Sequence, residues 1–368
     1  MGSGACGPRK VHAASGAASR AAAPAAMNHP RILVANFRWF GGFGAALTAA
    51  LRAEGAVVDD YICRNYKGLM LRRLVENAAR RDWPGVSLFL RTQLARDFAA
   101  RQRSLVHRAR ASRPDIFLVV DEDQVTAETL DQIKAGCGAV RALWIADDPW
   151  TKEHLPAALA SYDVLFVFDR YYLDAIGART RARVLYLPLA GDDTVFHLPA
   201  HPLPQAERQG AVHIGSRYAE RERLLQVAAA ALPDLEIYGW ARRNLPSALA
   251  PAVRGGRIAR RRTGEIYGRA WVVLSLHHHQ VRQAPTRVFD PALAGAFQIT
   301  EARPDLAALL EPDREIVTFA CDDELRAKLV YYRARPAERE RIATAGCARV
   351  RAEHTFRHRA RRMLEVFA

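Results

Sequence analysis

Ile32-Leu33-Val34-Ala35, Gly41-Gly42-Phe43-Gly44, Ala45 through Glu54, Gly55, then Val57-Val58: these residues decide the fold. A short apolar run, a glycine-rich turn, a stretch of helix formers, a glycine stop and a new apolar run make a βαβ unit. The pattern recurs downstream. Ile116 to Val120 is apolar without alternation, as a strand buried on both faces must be. A helix is predicted over Glu128–Ala135, with strands at Ala142–Ile145, Val164–Phe168 and Val184–Leu187. Between about 70 and 112 lies an Arg-rich helical stretch, read as two helices broken near Pro84-Gly85.

Residues 197–210 carry Pro199, Pro202, Pro204 and Gly210 and read as a linker. Beyond it the alternation restarts: strand Ala211–Ile214, a helix from about Glu220 to Ala231, strand Leu235–Tyr238, strand Trp271–Leu276, a helix opening at Phe289 and strand Phe297–Thr300. The end, from Asp323, reads as helical. The expected architecture is α/β, two Rossmann-like parallel sheets facing a cleft, divided 27–200 and 201–368. Residues 1–26, rich in Ala, Gly and Ser, are expected to be a disordered extension, with Met27 an alternative start.

Composition narrows the function. The chain has 368 residues, 50% hydrophobic and 25% charged, enough to build large cores. No run of roughly 18 uncharged apolar residues suggests a membrane span. The net charge of +15 attracts anions: nucleic acid, anionic lipid or a phosphorylated small molecule. No helix-turn-helix, zinc-finger or RNP-type motif is present, which argues against a nucleic-acid reader. Cys6, Cys63, Cys137, Cys321 and Cys347 are scattered, as expected of reduced thiols in a cytoplasmic protein.

Candidate chemistry sits at strand ends. Gly215 and Gly239 follow strands, where backbone can approach a phosphate, and Ser216-Arg217 adds a hydroxyl and a cation. His277-His278-His279 follows another strand; no metal-ligand spacing surrounds it, so a phosphate or sugar hydroxyl is the expected partner. Arg287 and Asp290 place a cation and a carboxylate three residues apart, suiting a diphosphate and a ribose diol, although an aspartate there also suits a helix start. In the first half, Asp147-Asp148 follows a strand and offers a general base, or a cap before Pro149. Asp121-Glu122-Asp123 offers carboxylates to a divalent cation, but so short an acidic match is common by chance. Arg260-Arg261-Arg262 and Arg357, Arg359, Arg361 and Arg362 read as solvated faces, or as contacts to anionic lipid.

An ordered series then resembles the CgeB (spore maturation protein) family of group-1-like glycosyltransferases. It comprises Val212 to Ser216, Glu220-Arg221, Ile237 to Trp240, Ile266-Tyr267, Leu274 to His277, Arg287 to Asp290, Ala294-Gly295, Tyr331-Tyr332, Ile342-Ala343, Gly346, His354 to Phe356 and Arg359. Trp144 to Pro149 and Leu187 to Ala190 extend it into the first half. The resemblance implies a GT-B fold, a nucleotide-sugar donor on the second domain, an acceptor on the first, and no cofactor. It gives Gly215, Arg217, Gly239, His278, Arg287 and Asp290 to the donor, and Gly41, Gly42 and Asp147 to the acceptor side. Asp148 and His277 are the candidate catalytic residues. The chain departs from the pattern at Asp290 (usually Glu), Ser275 (usually Asn) and Arg282, where related enzymes carry a second Glu. A non-catalytic nucleotide-sugar or glycan-binding protein is therefore the alternative.

Overall fold

The computed structural model describes residues 29–37, 42–64, 84–120, 125–277 and 286–368. The first half holds β1 (Arg31–Phe37), α1 (Phe43–Ala53), β2 (Val57–Arg64), α2 (Pro84–Ser112), β3 (Ile116–Val120), α3 (Ala127–Cys137), β4 (Val140–Ile145), β5 (Val164–Val167), α4 (Tyr171–Gly177) and β6 (Arg183–Tyr186). Its six strands form one parallel sheet in the order β2-β1-β3-β4-β5-β6. All five residues of β3 are buried, which is why that segment reads as an unbroken apolar run.

The second half holds β7 (Ala211–Ile214), α5 (Ala219–Ala231), β8 (Leu235–Tyr238), β9 (Val253–Gly255), α6 (Arg260–Arg269), β10 (Val272–Leu274), α7 (Thr286–Leu293), β11 (Gln298–Glu301), β12 (Val317–Phe319), α8 (Asp322–Arg333), α9 (Pro336–Glu353) and α10 (Phe356–Phe367). Its strands form a second parallel sheet, β12-β11-β10-β7-β8-β9. The expected α/β architecture of two parallel sheets is the one observed. In each sheet the first strand lies between its successor and a strand reached by crossover, so the strand order reverses there. Ligands bind at the carboxyl edge of such reversals. The turns entering Gly42 and Gly215 stand at those two points.

Two details depart from the sequence reading. The strands β9 and β12 have three residues each and carry too little apolar sequence to be seen. The strand expected over Trp271–Leu276 is confined to Val272–Leu274. The helix expected after the break near Pro84-Gly85 begins at Pro84, where a proline costs no hydrogen bond, and the one expected before it lies outside the described residues.

The chain's last helix does not stay with the second sheet. Helix α10 lies along α1. Its Phe356, Met363 and Phe367 join the core of the first half. Phe356 meets Phe43 at 5.1 Å and Phe367 meets Phe166 at 5.9 Å. Arg357 and Arg361 both reach Glu54 just past α1, at 2.5 and 3.1 Å. Among the described residues no helix is long and apolar enough to cross a membrane.

The halves are joined twice, and the two crossings pair with each other. The Gly191 N–H donates to the His354 carbonyl at 2.9 Å, and the Phe356 N–H donates to the Gly191 carbonyl at 3.2 Å. Arg359, only 6% exposed, spends its guanidinium on main-chain carbonyls here. It donates to Pro188 (2.7 Å), Leu189 (2.9 Å) and Glu353 (2.9 Å). His354 completes the knot. Its Nε2 donates to the Leu309 carbonyl at 2.9 Å, because a carbonyl can only accept. Its Nδ1 therefore accepts from Arg359, at 3.0 Å. Burial, with Arg359 beside it, pushes the His354 pKa down to about 4.

Candidate functional site

The carboxyl edge of the second sheet brings four strand ends together. Gly215, after β7, donates its N–H to the Tyr238 carbonyl at 3.1 Å. Gly239, after β8, has φ +94°, and a Cβ there would stand 2.5 Å from the Gly215 carbonyl oxygen. Glycine is required at this contact on both counts. Next to it Arg217 is tethered on three sides. Its Nε donates to Glu222 at 2.6 Å, its Nη1 to the Arg243 carbonyl at 3.3 Å, and the guanidinium lies 5.6 Å from the Trp240 ring centre. It stays one-third exposed, a fixed cation at the rim of the edge.

Behind the rim is a group of buried ionisable side chains. The His277 side chain is fully buried, and its backbone N–H points between both carboxylate oxygens of Glu301, 3.2 Å from each. The imidazole Nδ1 stands 3.7 Å from Glu301 Oε2. Burial raises the Glu301 pKa, against the pull of Arg303 and Arg221. Arg221 is itself buried and ties two strand ends together, donating to the Leu276 carbonyl at 3.0 Å and the Ser216 carbonyl at 2.9 Å. Sequence reasoning gave neither Glu301 nor Arg221 a role. The signal was a charged residue at a strand's carboxyl end and another in the first turn of a helix.

Asp290, on the second turn of α7, accepts the Asp192 N–H at 3.1 Å. Asp192 belongs to the crossing segment and is buried. Its carboxylate accepts from Thr194 N–H (3.1 Å) and hydroxyl (2.5 Å) and pairs with Arg260 Nη1 at 2.7 Å. Arg260, at the start of α6, then reaches the first half: a Cβ on Gly42 would meet its Nη1 at 2.4 Å. Gly42 has φ +66° and caps α1, which no side chain caps. Asp290, Asp192, Arg260 and Gly42 thus form a line that runs from the second half to the first.

The reading of the basic runs as solvated faces holds for Arg261, Arg262, Arg357, Arg361 and Arg362, which are exposed even where they pair with Glu265, Glu54 or Glu365. It is corrected at Arg359, which is buried among main-chain carbonyls, and at Arg260, which is an inter-domain contact.

On the first sheet, Asp147 and Asp148 follow β4 at the same carboxyl edge as Gly42. Asp148 Oδ1 accepts the Trp150 N–H at 3.0 Å and caps the single turn Pro149–Thr151. Asp147 accepts the Asp148 N–H at 2.9 Å and stands 3.6 Å from Lys152 Nζ. Tyr172, buried behind them, has its phenol pKa raised, chiefly by burial and then by the Asp148 charge. The cap that the sequence offered as one use of Asp148 is therefore made, and the residue stays partly exposed. Gly41, His278 and Asp121-Glu122-Asp123 lie outside the described residues, as does the Arg287 side chain. Among the described residues no three His, Cys, Asp or Glu side chains converge to hold a metal ion.

The whole chain resembles several solved structures. Sucrose-phosphate synthase of Thermosynechococcus elongatus superposes with TM-score 0.60 at 15% identity, over 92% of this chain and 98% of that one. A glycosyltransferase of Rickettsia africae gives 0.63 at 10%, over 93% and 98%. HepE of Anabaena, solved with UDP and glucose, gives 0.61 at 11%, over 92% and 99%. No curated protein matches the chain by sequence. These likenesses establish the fold as GT-B, and residues 217–365, most of the second half, match the glycosyl transferase-like family.

Proposed function

We propose that the protein is a glycosyltransferase that moves a sugar from a nucleoside-diphosphate donor to an acceptor hydroxyl. The observation that carries this is the pair of strand-order reversals, each with a glycine beyond its first strand, with Arg217 fixed at one rim. The glycosyl transferase-like match over residues 217–365 supports it, as do the UDP and glucose with which the Anabaena neighbour was solved.

The donor lies along the second sheet. Gly215 and Gly239 let the diphosphate approach the backbone. Arg217, joined by Arg287, offsets the charge that develops on the leaving diphosphate. The Asp290 carboxylate accepts hydrogen bonds from the ribose hydroxyls. Of His277 and His278, the second serves the phosphates or the sugar, because the His277 side chain is fully buried and Glu301 fixes its backbone. Gly41, Gly42 and Asp147 border the acceptor, and Asp148 takes its proton as general base. Closure of the halves excludes water, which competes with the acceptor.

The finer assignments belong to the same reading: a cytoplasmic, metal-independent, CgeB-like hexosyltransferase, with residues 27–200 the acceptor domain and 201–368 the donor domain. The departures at Asp290, Ser275 and Arg282 favour a second reading, a non-catalytic nucleotide-sugar-binding GT-B protein. A thermal-shift screen against UDP-, GDP-, ADP-, CMP- and dTDP-sugars, with and without Mg²⁺, tests both, because a ligand of the folded state raises its stability. A shift with one nucleotide class, followed by nucleotide release with acceptor, establishes the enzyme. A shift without turnover establishes the binding protein. No shift with any donor removes the donor site.

A further inference from the structure

Helix α2 is much longer than the sheet it covers. Its 29 residues span about 43 Å, whereas the five residues of β3 span about 17 Å. It follows β2 and precedes β3, and both strands run parallel to β1. The helix therefore starts at the carboxyl edge of the sheet and ends at its amino edge, where the Ser112 carbonyl accepts from Arg31. Only its later turns are bedded: Leu105, Val106 and Ala109 are buried, and no described side chain before Leu105 is. The first turns project past the edge at which Gly42 meets Arg260. Phe98 rests on His154, ring centres 5.0 Å apart, in the loop that follows Asp148.

The projecting end is apolar at its tip and cationic behind it. Leu88 is 69% exposed and Phe89 62%. Arg91, Arg96 and Arg103 are exposed and have no ion-pair partner among the described residues. The only acid on the helix is Asp97. The tail arginines, by contrast, are spent on Glu54 and Glu365.

We propose that the N-terminal end of α2 docks on an anionic phospholipid surface. Leu88 and Phe89 enter the boundary between headgroups and acyl chains, and Arg91, Arg96 and Arg103 meet the headgroup phosphates. The arginines select this occupant over a second copy of the chain, whose own arginines would be repelled. The docking stands on the surface alone. Its consequence rests on the glycosyltransferase reading: the acceptor side of the cleft faces the membrane, so the acceptor hydroxyl belongs to a lipid-carried molecule.

The test is flotation of the full chain with vesicles of phosphatidylcholine, alone or with about 30 mol% phosphatidylglycerol. Three arginines, each giving about fivefold, make binding to the anionic vesicles on the order of 100-fold tighter. Leu88→Glu with Phe89→Glu lowers that binding at least about 20-fold and leaves the melting temperature unchanged, because both side chains are exposed. Arg91→Glu with Arg96→Glu lowers it as well. Equal binding to both vesicles, no binding to either, or full binding by Leu88→Glu with Phe89→Glu overturns the proposal. So does a change from dimer to monomer in that variant without lipid binding, which assigns the patch to a second copy. Donor binding by thermal shift is measured on the same proteins. Lost lipid binding with intact donor binding defeats the docking alone, and the reverse defeats the function alone.

Discussion

The two places where the halves of this molecule meet are built in opposite ways. At the crossing of Gly191 with His354, main chain pairs with main chain, and a buried arginine donates to the Pro188, Leu189 and Glu353 carbonyls. At the cleft floor, contact comes down to a line of side chains in which Arg260, partly exposed, is the member that reaches the first half. On the glycosyltransferase reading, this division suits a site that must admit substrate and then exclude water.

The contrast can be broken from either side. The largest expected effect is at the crossing. Arg359→Met strands the Pro188 and Leu189 carbonyls in the interior and should destabilise the fold by about 3–5 kcal/mol. Chemical denaturation measures this, and a loss below about 1 kcal/mol would deny the crossing its structural role. Arg217→Ala should do the reverse: nucleotide release from donor and acceptor falls about 100-fold or more, while the melting temperature barely moves. Equal loss of both would mean that the rim cation is structural.

The crossing should also be sensitive to acid. His354 is neutral when folded, with a pKa near 4 against 6.5 unfolded. Between those values the unfolded chain binds the extra proton, so stability falls as pH drops from about 6.5 to 4, by about 3 kcal/mol at most. His354→Gln should flatten that part of the curve, and an unchanged slope in the variant would assign the acid sensitivity elsewhere. The smallest effect is expected at the cleft. Arg260→Ala should cost about 1–2 kcal/mol of stability, since the buried Asp192 carboxylate keeps only its Thr194 hydrogen bonds. Its mark should be a raised donor KM, and an unaltered KM would show that the contact with Gly42 has no part in closure.

These two regions also show what the chain discloses before it folds. The sheets were legible because fully buried parallel strands leave continuous apolar runs, and because glycines mark the strand ends. The short strands β9 and β12 were not, since three residues carry no period. Arg359 is one of many arginines near the end of the chain, and only the fold sets it against carbonyls 170 residues away. Arg260 read as a solvated charge for the same reason, with its partner Asp192 standing 68 residues earlier. At Asp148 the sequence offered two uses, and only one of them, the cap, is a matter of local geometry.

The return of α10 to the first half sets an order of events during synthesis. The six strands of the first sheet leave the ribosome early, yet Phe43, Trp144 and Phe166 receive Phe356 and Phe367 only when the final helix has been made. Until then an aromatic surface stays open on the nascent chain, and chaperones recognise such surfaces.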